Sequence, residues 1–149
     1  MNLWWSNLAT MLFCSKAFAI PELSPLSASD LEPESSLNCY FRLQSSEGEP
    51  GAVVLELKAS SALIGVDNSR TRLVVTEADC KDDCVTPGTT GLRVLELLGE
   101  RGSATLRKQV FCHRDSEVCA GLPEGAAILK ISTSLGQAEL TVWNNYCDI

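Results

Sequence analysis

From Leu37 to the end of the chain, short apolar runs alternate with turn-forming residues, and this pattern narrows the choice of fold more than any other feature. In residues 37–43 every second residue is apolar. Residues 127–131 and 138–142 alternate in the same way on either side of a turn at 134–137. A period of two residues is typical of half-buried strands, and closely spaced short strands are typical of all-β domains. The sequence therefore predicts about seven or eight antiparallel strands.

Residues 92–98 fit two kinds of element, because five apolar residues between Gly91 and Gly99 suit either a buried strand or a short helix. We interpret them as a strand that pairs with residues 104–111 as a hairpin. A domain with this number of strands is typically built from two packed sheets. The predicted fold is therefore an all-β, disulfide-stabilised antiparallel β-sandwich that occupies residues 37–149.

Residues 1–19 have the pattern of a secretory signal peptide. The apolar stretch from Leu3 to Phe13 is followed by Ala17-Phe18-Ala19, the small-x-small pattern that signal peptidase accepts. The stretch is shorter than the ~20 residues that a helix needs to cross a bilayer, and no later segment resembles a membrane span. The sequence predicts cleavage after Ala19 and a soluble, secreted, extracellular product.

Residues 20–36 differ in composition from the rest of the chain. They contain three prolines, several serines and four acidic residues, but few apolar ones. A segment of this composition buries too little apolar surface to offset the entropy lost on ordering. The sequence predicts that it is a flexible, acidic, disordered tail, with a propeptide or docking arm as the alternative.

Six cysteines remain after cleavage, an even number that implies disulfides in a small exported domain. Two pairs flank short polar loops, and the other two cysteines lie in the first and last predicted elements. The predicted disulfides are Cys39–Cys147, Cys80–Cys84 and Cys112–Cys119. Cys147 has the strand parity opposite to that of Val142, so the long disulfide requires a bend or bulge at residues 144–145.

Redox and metal chemistry are alternative interpretations of the same cysteines. Cys80 and Cys84 enclose three residues rather than the two of thioredoxin-type motifs, and the intervening aspartates would raise the pKa of a thiol. Adjacent Cys112 and His113 do not match the spacing of zinc ligands. The acidic residues at 77–83 lack the alternating pattern and glycine of a calcium-binding EF-hand. We therefore predict no cofactor and no metal.

The charge of the chain argues against nucleic acid as a partner. The net charge is −7, loss of Lys16 with the signal peptide makes it −8, and the basic residues are scattered. Binding to phosphate backbones needs clustered lysine and arginine. His113 is the only histidine, and no hydrolase elbow, phosphate-binding loop or zinc-protease motif is present. No catalytic residue is predicted, and we do not expect an enzyme.

Three functions remain open. The first is a secreted module that binds an extracellular protein through loops or a sheet face. The alternative is a carrier that holds an apolar ligand or lipid between two β-sheets. The order of the six cysteines, one early, two close pairs and one late, resembles that of secreted lipid-recognition β-sandwiches, and the resemblance rests on cysteine order alone. The third is a secreted hydrolase with no identifiable site.

Overall fold

The computed structural model describes residues 20–35, 37–44, 50–81, 88, 90–112 and 121–148, with the side chains of 77–81 left aside. These residues form eight antiparallel strands and no helix. None of the described segments is a helix of the length and hydropathy needed to cross a membrane. The strands are β1 Cys39–Gln44, β2 Pro50–Leu57, β3 Ser61–Val66, β4 Ser69–Lys81, β5 Thr90–Gly99, β6 Gly102–Phe111, β7 Gly125–Thr133 and β8 Gly136–Asn144.

The strands form one closed barrel, and the prediction of a two-sheet sandwich is wrong. Each strand pairs with the next along the chain, and β1 also pairs with β8 from Phe41↔Asn144 to Leu43↔Val142. Alternating residues bury one face of a strand in both architectures, so the pattern alone does not distinguish them. Pairing of the first strand with the last closes the sheet into a barrel, and it also leaves the sheet without an unpaired edge strand.

The predicted strands themselves are confirmed. Residues 92–98 lie within β5, which pairs with β6 over its whole length. In the last hairpin, Leu129 lies opposite Leu140, so the apolar faces of β7 and β8 meet as the alternation predicts. The β3–β4 turn consists of Asp67 and Asn68, whose φ angles of 50° and 58° match the tight turn that suits twisted hairpins.

Apolar side chains fill the middle of the barrel. Eight strands enclose an interior just wide enough for side chains to fill it or to leave room for one small ligand. Here the central residues have almost no exposed surface, and they come from strands all round the barrel. The largest of them are Phe41, Leu55, Leu57, Ile64, Leu97, Leu106 and Leu129.

Residues 20–35, which we call the N-terminal segment, lie against the barrel instead of forming the predicted flexible tail. β2 and β3 pair only from Leu55↔Ile64 to Leu57↔Ala62. Beyond those pairs the N-terminal segment supplies the missing partner. The backbone N–H of Leu26 donates to the carbonyl of Val53 at 2.8 Å, and that of Ser24 donates to the carbonyl of Gly65 at 2.9 Å.

Apolar contacts between the N-terminal segment and the barrel hold the segment in place. Leu23 joins the interior core, and Leu26 packs on the outer face against Tyr40 and Val53. The segment also covers the carboxylate of Glu56, which accepts a hydrogen bond from its backbone. Few apolar residues are therefore enough, because each one meets a surface that is already folded.

The long disulfide is confirmed. Cys39, at the start of β1, is bonded to Cys147, beyond the end of β8, with 5.4 Å between their Cα atoms. Cys112 is also disulfide-bonded. Cys84, Cys119 and the side chain of Cys80 lie outside the described residues, so the two predicted short disulfides remain predictions.

Candidate functional site

The two ends of the barrel differ in chemistry. In a barrel of consecutive strands the connections alternate between the ends, so the turns at 67–68, 100–101 and 134–135 share one end. We call that end the mouth. The other end carries the first residues of β1 and the Cys39–Cys147 disulfide.

The mouth contains a cavity of about 170 Å³ that opens between the three turns. Apolar side chains form its floor, and hydroxyl and charged side chains form its rim. The floor includes Ile64, Val66, Leu73, Ala104 and Ile131. The rim includes Asp67, Ser69, Thr71, Arg101 and Ser132.

The cavity is small because the barrel is filled directly below it. Leu97, Leu106 and Leu129 have at most 1% of their surface exposed, so the apolar floor is the top of a packed core. An apolar cavity of about 150 Å³ is large enough to bind benzene. The mouth therefore matches a group of that size, and a long lipid chain does not fit inside the barrel.

The rim carries one cation that is available to a ligand. Asp67 already accepts a hydrogen bond from the backbone N–H of Glu22 at 2.9 Å. Arg101 is exposed, and the ion pairs found among the described residues do not include it. The rim therefore favours a ligand with an anionic or hydrogen-bonding head, whose apolar end reaches the floor.

A second surface lies on the outer face of β4 and β5. We call it the arginine groove, and it consists of Arg70, Arg72, Val74, Leu98 and Arg101 with the residues between them. It is a shallow depression of about 770 Å³. Val74 and Leu98 lie opposite each other across the strands and are 58% and 57% exposed. An apolar floor with arginines on both sides is unusual on a chain with a net charge of −7.

Polar side chains point inward near the disulfide end. Lys108, which is 2% exposed, has the inward parity of Leu106, and its Nζ donates to the carbonyl of Ala126 at 3.0 Å. A Cβ added at Gly125 would lie 3.6 Å from this Nζ, an ordinary van der Waals contact, so Gly125 lies directly beside the ammonium. Gly125 lies opposite Asn144, whose buried Oδ1 has no hydrogen-bond partner among the described residues.

Burial lowers the pKa of Lys108, because the ammonium has lost most of its hydration. The folded state therefore binds this proton less tightly than the unfolded state does. As the pH rises from the folded pKa towards the unfolded value of 10.5, this group makes the protein progressively more stable.

We expect Lys108→Met to stabilise the protein at neutral pH, by about 1 kcal/mol, because it removes a buried charge and keeps the length of the side chain. The gap between variant and wild type should narrow as the pH approaches ~10. Urea unfolding at two pH values measures both effects. Lys130→Met, on the outer face of β7, is the matched control. A variant that is strongly destabilised at neutral pH would contradict this account.

The sequence predicted no catalytic, cofactor or metal residue. Of the predicted disulfide cysteines, Cys39, Cys112 and Cys147 lie in the described chain, and Cys84 and Cys119 do not. The predicted cleavage residue Ala19 lies outside the described chain, as does His113. Within the described ranges no cluster of histidine, cysteine and acidic side chains has the geometry to hold a metal ion. Sequence reasoning missed the mouth and Lys108. Strand parity is the signal that reveals Lys108, since it occupies an inward position of β6.

Comparisons with protein-family models, with curated proteins and with solved structures found no match to this chain.

Proposed function

We propose that this protein is a secreted, non-catalytic binding protein that holds a small amphipathic ligand in the mouth of its barrel. The ligand inserts an apolar body about the size of a benzene ring and leaves a polar, preferably anionic, head at the rim. The cavity itself carries the proposal, because it combines an apolar floor with a polar rim, as small-molecule sites generally do. Barrel mouths are also a common place for such sites.

The proposed place of action is extracellular. The signal-peptide pattern of residues 1–19 supports it, and so does the oxidised state of Cys39, Cys112 and Cys147, because disulfides persist in oxidising compartments. The cavity volume then sets the scale of the ligand. A body of about six to eight non-hydrogen atoms fits, with affinity in the millimolar to micromolar range expected for a ligand of this size.

Hexanoate is a suitable probe, because its chain fits the cavity and its carboxylate matches Arg101. Titration of ¹⁵N-labelled protein should shift the amide resonances of Ile131 and Ser132 at the mouth. Hexylamine, with the same chain and the opposite charge, should bind at least about threefold more weakly, since one rim charge changes affinity modestly. Equal binding of the two probes would show that the site has no preference for an anionic head, which would contradict that part of the proposal.

Ala104→Leu tests the apolar body of the site. Ala104 is 1% exposed and lines the cavity, so a leucine at this position fills the space that the probe would occupy. We expect hexanoate binding to be lost and the free energy of unfolding to rise by about 1 to 2 kcal/mol, because three further carbons are buried.

Ala126→Leu is the matched control, because Ala126 is exposed on the outer face of β7. It makes the same substitution away from the mouth, and hexanoate should bind to it as it binds to wild type. Unchanged hexanoate binding to Ala104→Leu, or resonance shifts confined to other parts of the barrel, would refute the proposed site.

A further inference from the structure

The arginine groove already holds one carboxylate at its edge. Asp30 of the N-terminal segment forms an ion pair with Arg70, and its side chain is only 6% exposed. Hydrogen bonds from Ser27 lower the pKa of Asp30, so this carboxylate stays ionised. The outer face of β4 therefore already pairs with one carboxylate of the protein itself.

The rest of the groove also carries arginines, and these are not paired with a carboxylate among the described residues. Among the described residues, neither Arg72 nor Arg101 belongs to an ion pair, and Glu100 is the only acidic residue in the groove lining. On its other side Arg72 borders the depression that contains Asp30, Glu32 and Glu56. Val74 and Leu98 give the groove an exposed apolar floor between these cations. Arginine binds carboxylates in a bidentate manner and is enriched in protein interfaces.

We propose that the arginine groove docks an extended acidic segment of a partner protein. Its carboxylates pair with Arg72 and Arg101, and an apolar side chain between them covers Val74 and Leu98. The stretch of β4 from Arg70 to Thr76 spans about 20 Å, so about six residues of an extended segment fit along it. This surface lies on the outer face of the barrel wall and shares Arg101 with the mouth, but the proposal does not depend on a ligand in the mouth.

The test uses two fluorescent peptides of about ten residues in which every second residue is serine and the residues between alternate leucine with glutamate or leucine with lysine, so that both kinds of side chain lie on one face of the extended peptide; each is added to the full secreted chain. The glutamate peptide should bind with a dissociation constant below about 1 mM, and its affinity should fall as salt is added. The lysine peptide should not bind. No binding of the glutamate peptide, or equal binding of both, would overturn the proposal.

Arg72→Ala combined with Leu98→Ser removes one cation and half of the apolar floor. We expect at least a tenfold loss of affinity for the glutamate peptide, since a charged hydrogen bond and an apolar contact are both lost. Arg107→Ala with Ile128→Ser is the matched control, because it also removes one arginine and one neighbouring apolar side chain from the outer face, here on β6 and β7. A similar loss in both double variants would contradict a site at the groove.

Two further arms separate this proposal from its competitors. Hexanoate binding should be unchanged in Arg72→Ala with Leu98→Ser, and peptide binding should be unchanged in Ala104→Leu. These variants leave the shared Arg101 in place, so each proposal is tested separately. A DNA duplex of about 20 base pairs tests whether the groove takes any polyanion. Tighter binding of the duplex than of the glutamate peptide would overturn the assignment to a protein segment.

Discussion

Replacing both Cys39 and Cys147 by alanine should destabilise the protein by about 4 to 5 kcal/mol. The disulfide joins residues separated by 108 positions, and in the loop-entropy model a loop of about this length restricts the unfolded chain by that amount. Domains of this size have a total stability of about 5 to 15 kcal/mol, so the double variant should be near the limit of folding. Urea unfolding followed by the fluorescence of Trp143, the only tryptophan after residue 19, measures the effect.

The same variant should loosen one particular place in the barrel. β1 and β8 are paired through only three registered residue pairs, and the disulfide lies at the end of this seam. Amide hydrogen exchange should therefore accelerate first at Phe41, Leu43 and Val142.

Cys80→Ala with Cys84→Ala is the comparison. The predicted disulfide between these cysteines closes only a short loop, so its removal should lower the free energy of unfolding by about 2 to 2.5 kcal/mol. The pairing of β1 with β8 has no special role if this double variant is destabilised as much as the variant without the long disulfide. The same conclusion follows if hydrogen exchange accelerates evenly around the barrel.

Replacing Gly65 by alanine should detach the N-terminal segment. A Cβ at this position would lie 2.1 Å from the carbonyl oxygen of Ser24, so the two backbones cannot keep their present distance. The segment would then lose the burial of Leu23 and Leu26, and we expect a destabilisation of about 2 to 3 kcal/mol. The decrease should appear in urea unfolding, and a glutamate-specific protease should cleave after Glu32 faster than in wild type.

A double-mutant cycle separates detachment from general damage to β3. Leu23→Ser with Leu26→Ser should release the N-terminal segment by removing its two apolar contacts. In that background Gly65→Ala should cost less than about 0.5 kcal/mol, because Ser24 is no longer nearby. Full additivity of the changes would mean that Gly65 acts through the strand rather than through the segment.

The strands were predictable because their signal is local. The alternation at 127–131 and 138–142 sets the face of each strand, and the turn between them sets the register, so the last hairpin follows from the sequence. The Cys39–Cys147 disulfide was also predicted, although Cys147 has the wrong parity for a continuous strand. The structure explains the parity. β8 ends at Asn144, and Asn145 Oδ1 accepts a hydrogen bond from the backbone N–H of Tyr40, so Cys147 lies beyond the regular alternation of the strand.

The closure of the sheet was not predictable, because it depends on pairing between Phe41 and Asn144 across most of the chain. The N-terminal segment was misjudged for a related reason. Its composition is that of a disordered chain, but β2 and β3 separate beyond Leu55 and leave backbone groups for it to pair with. Composition describes what a segment can bury by itself and does not describe what a neighbouring surface offers.

Neither candidate site has a sequence motif. The mouth is formed by residues from three hairpins that meet only when the barrel closes, and its floor residues are ordinary core residues in the sequence. The arginine groove combines Arg72 with Val74 and Leu98, which the register of β4 and β5 places opposite each other. Both sites are therefore consequences of how strands that are distant in sequence are brought together, which no local motif records.

The measurement that tests ligand binding in the mouth most directly is intermolecular nuclear Overhauser spectroscopy of the complex with hexanoate. The account predicts contacts from the terminal methyl group of hexanoate to the methyl groups of Ile64, Leu73 and Ile131 on the floor of the cavity. Contacts to Val74 or Leu98 on the outer face, or a saturated sample without any contact to the floor, would contradict it.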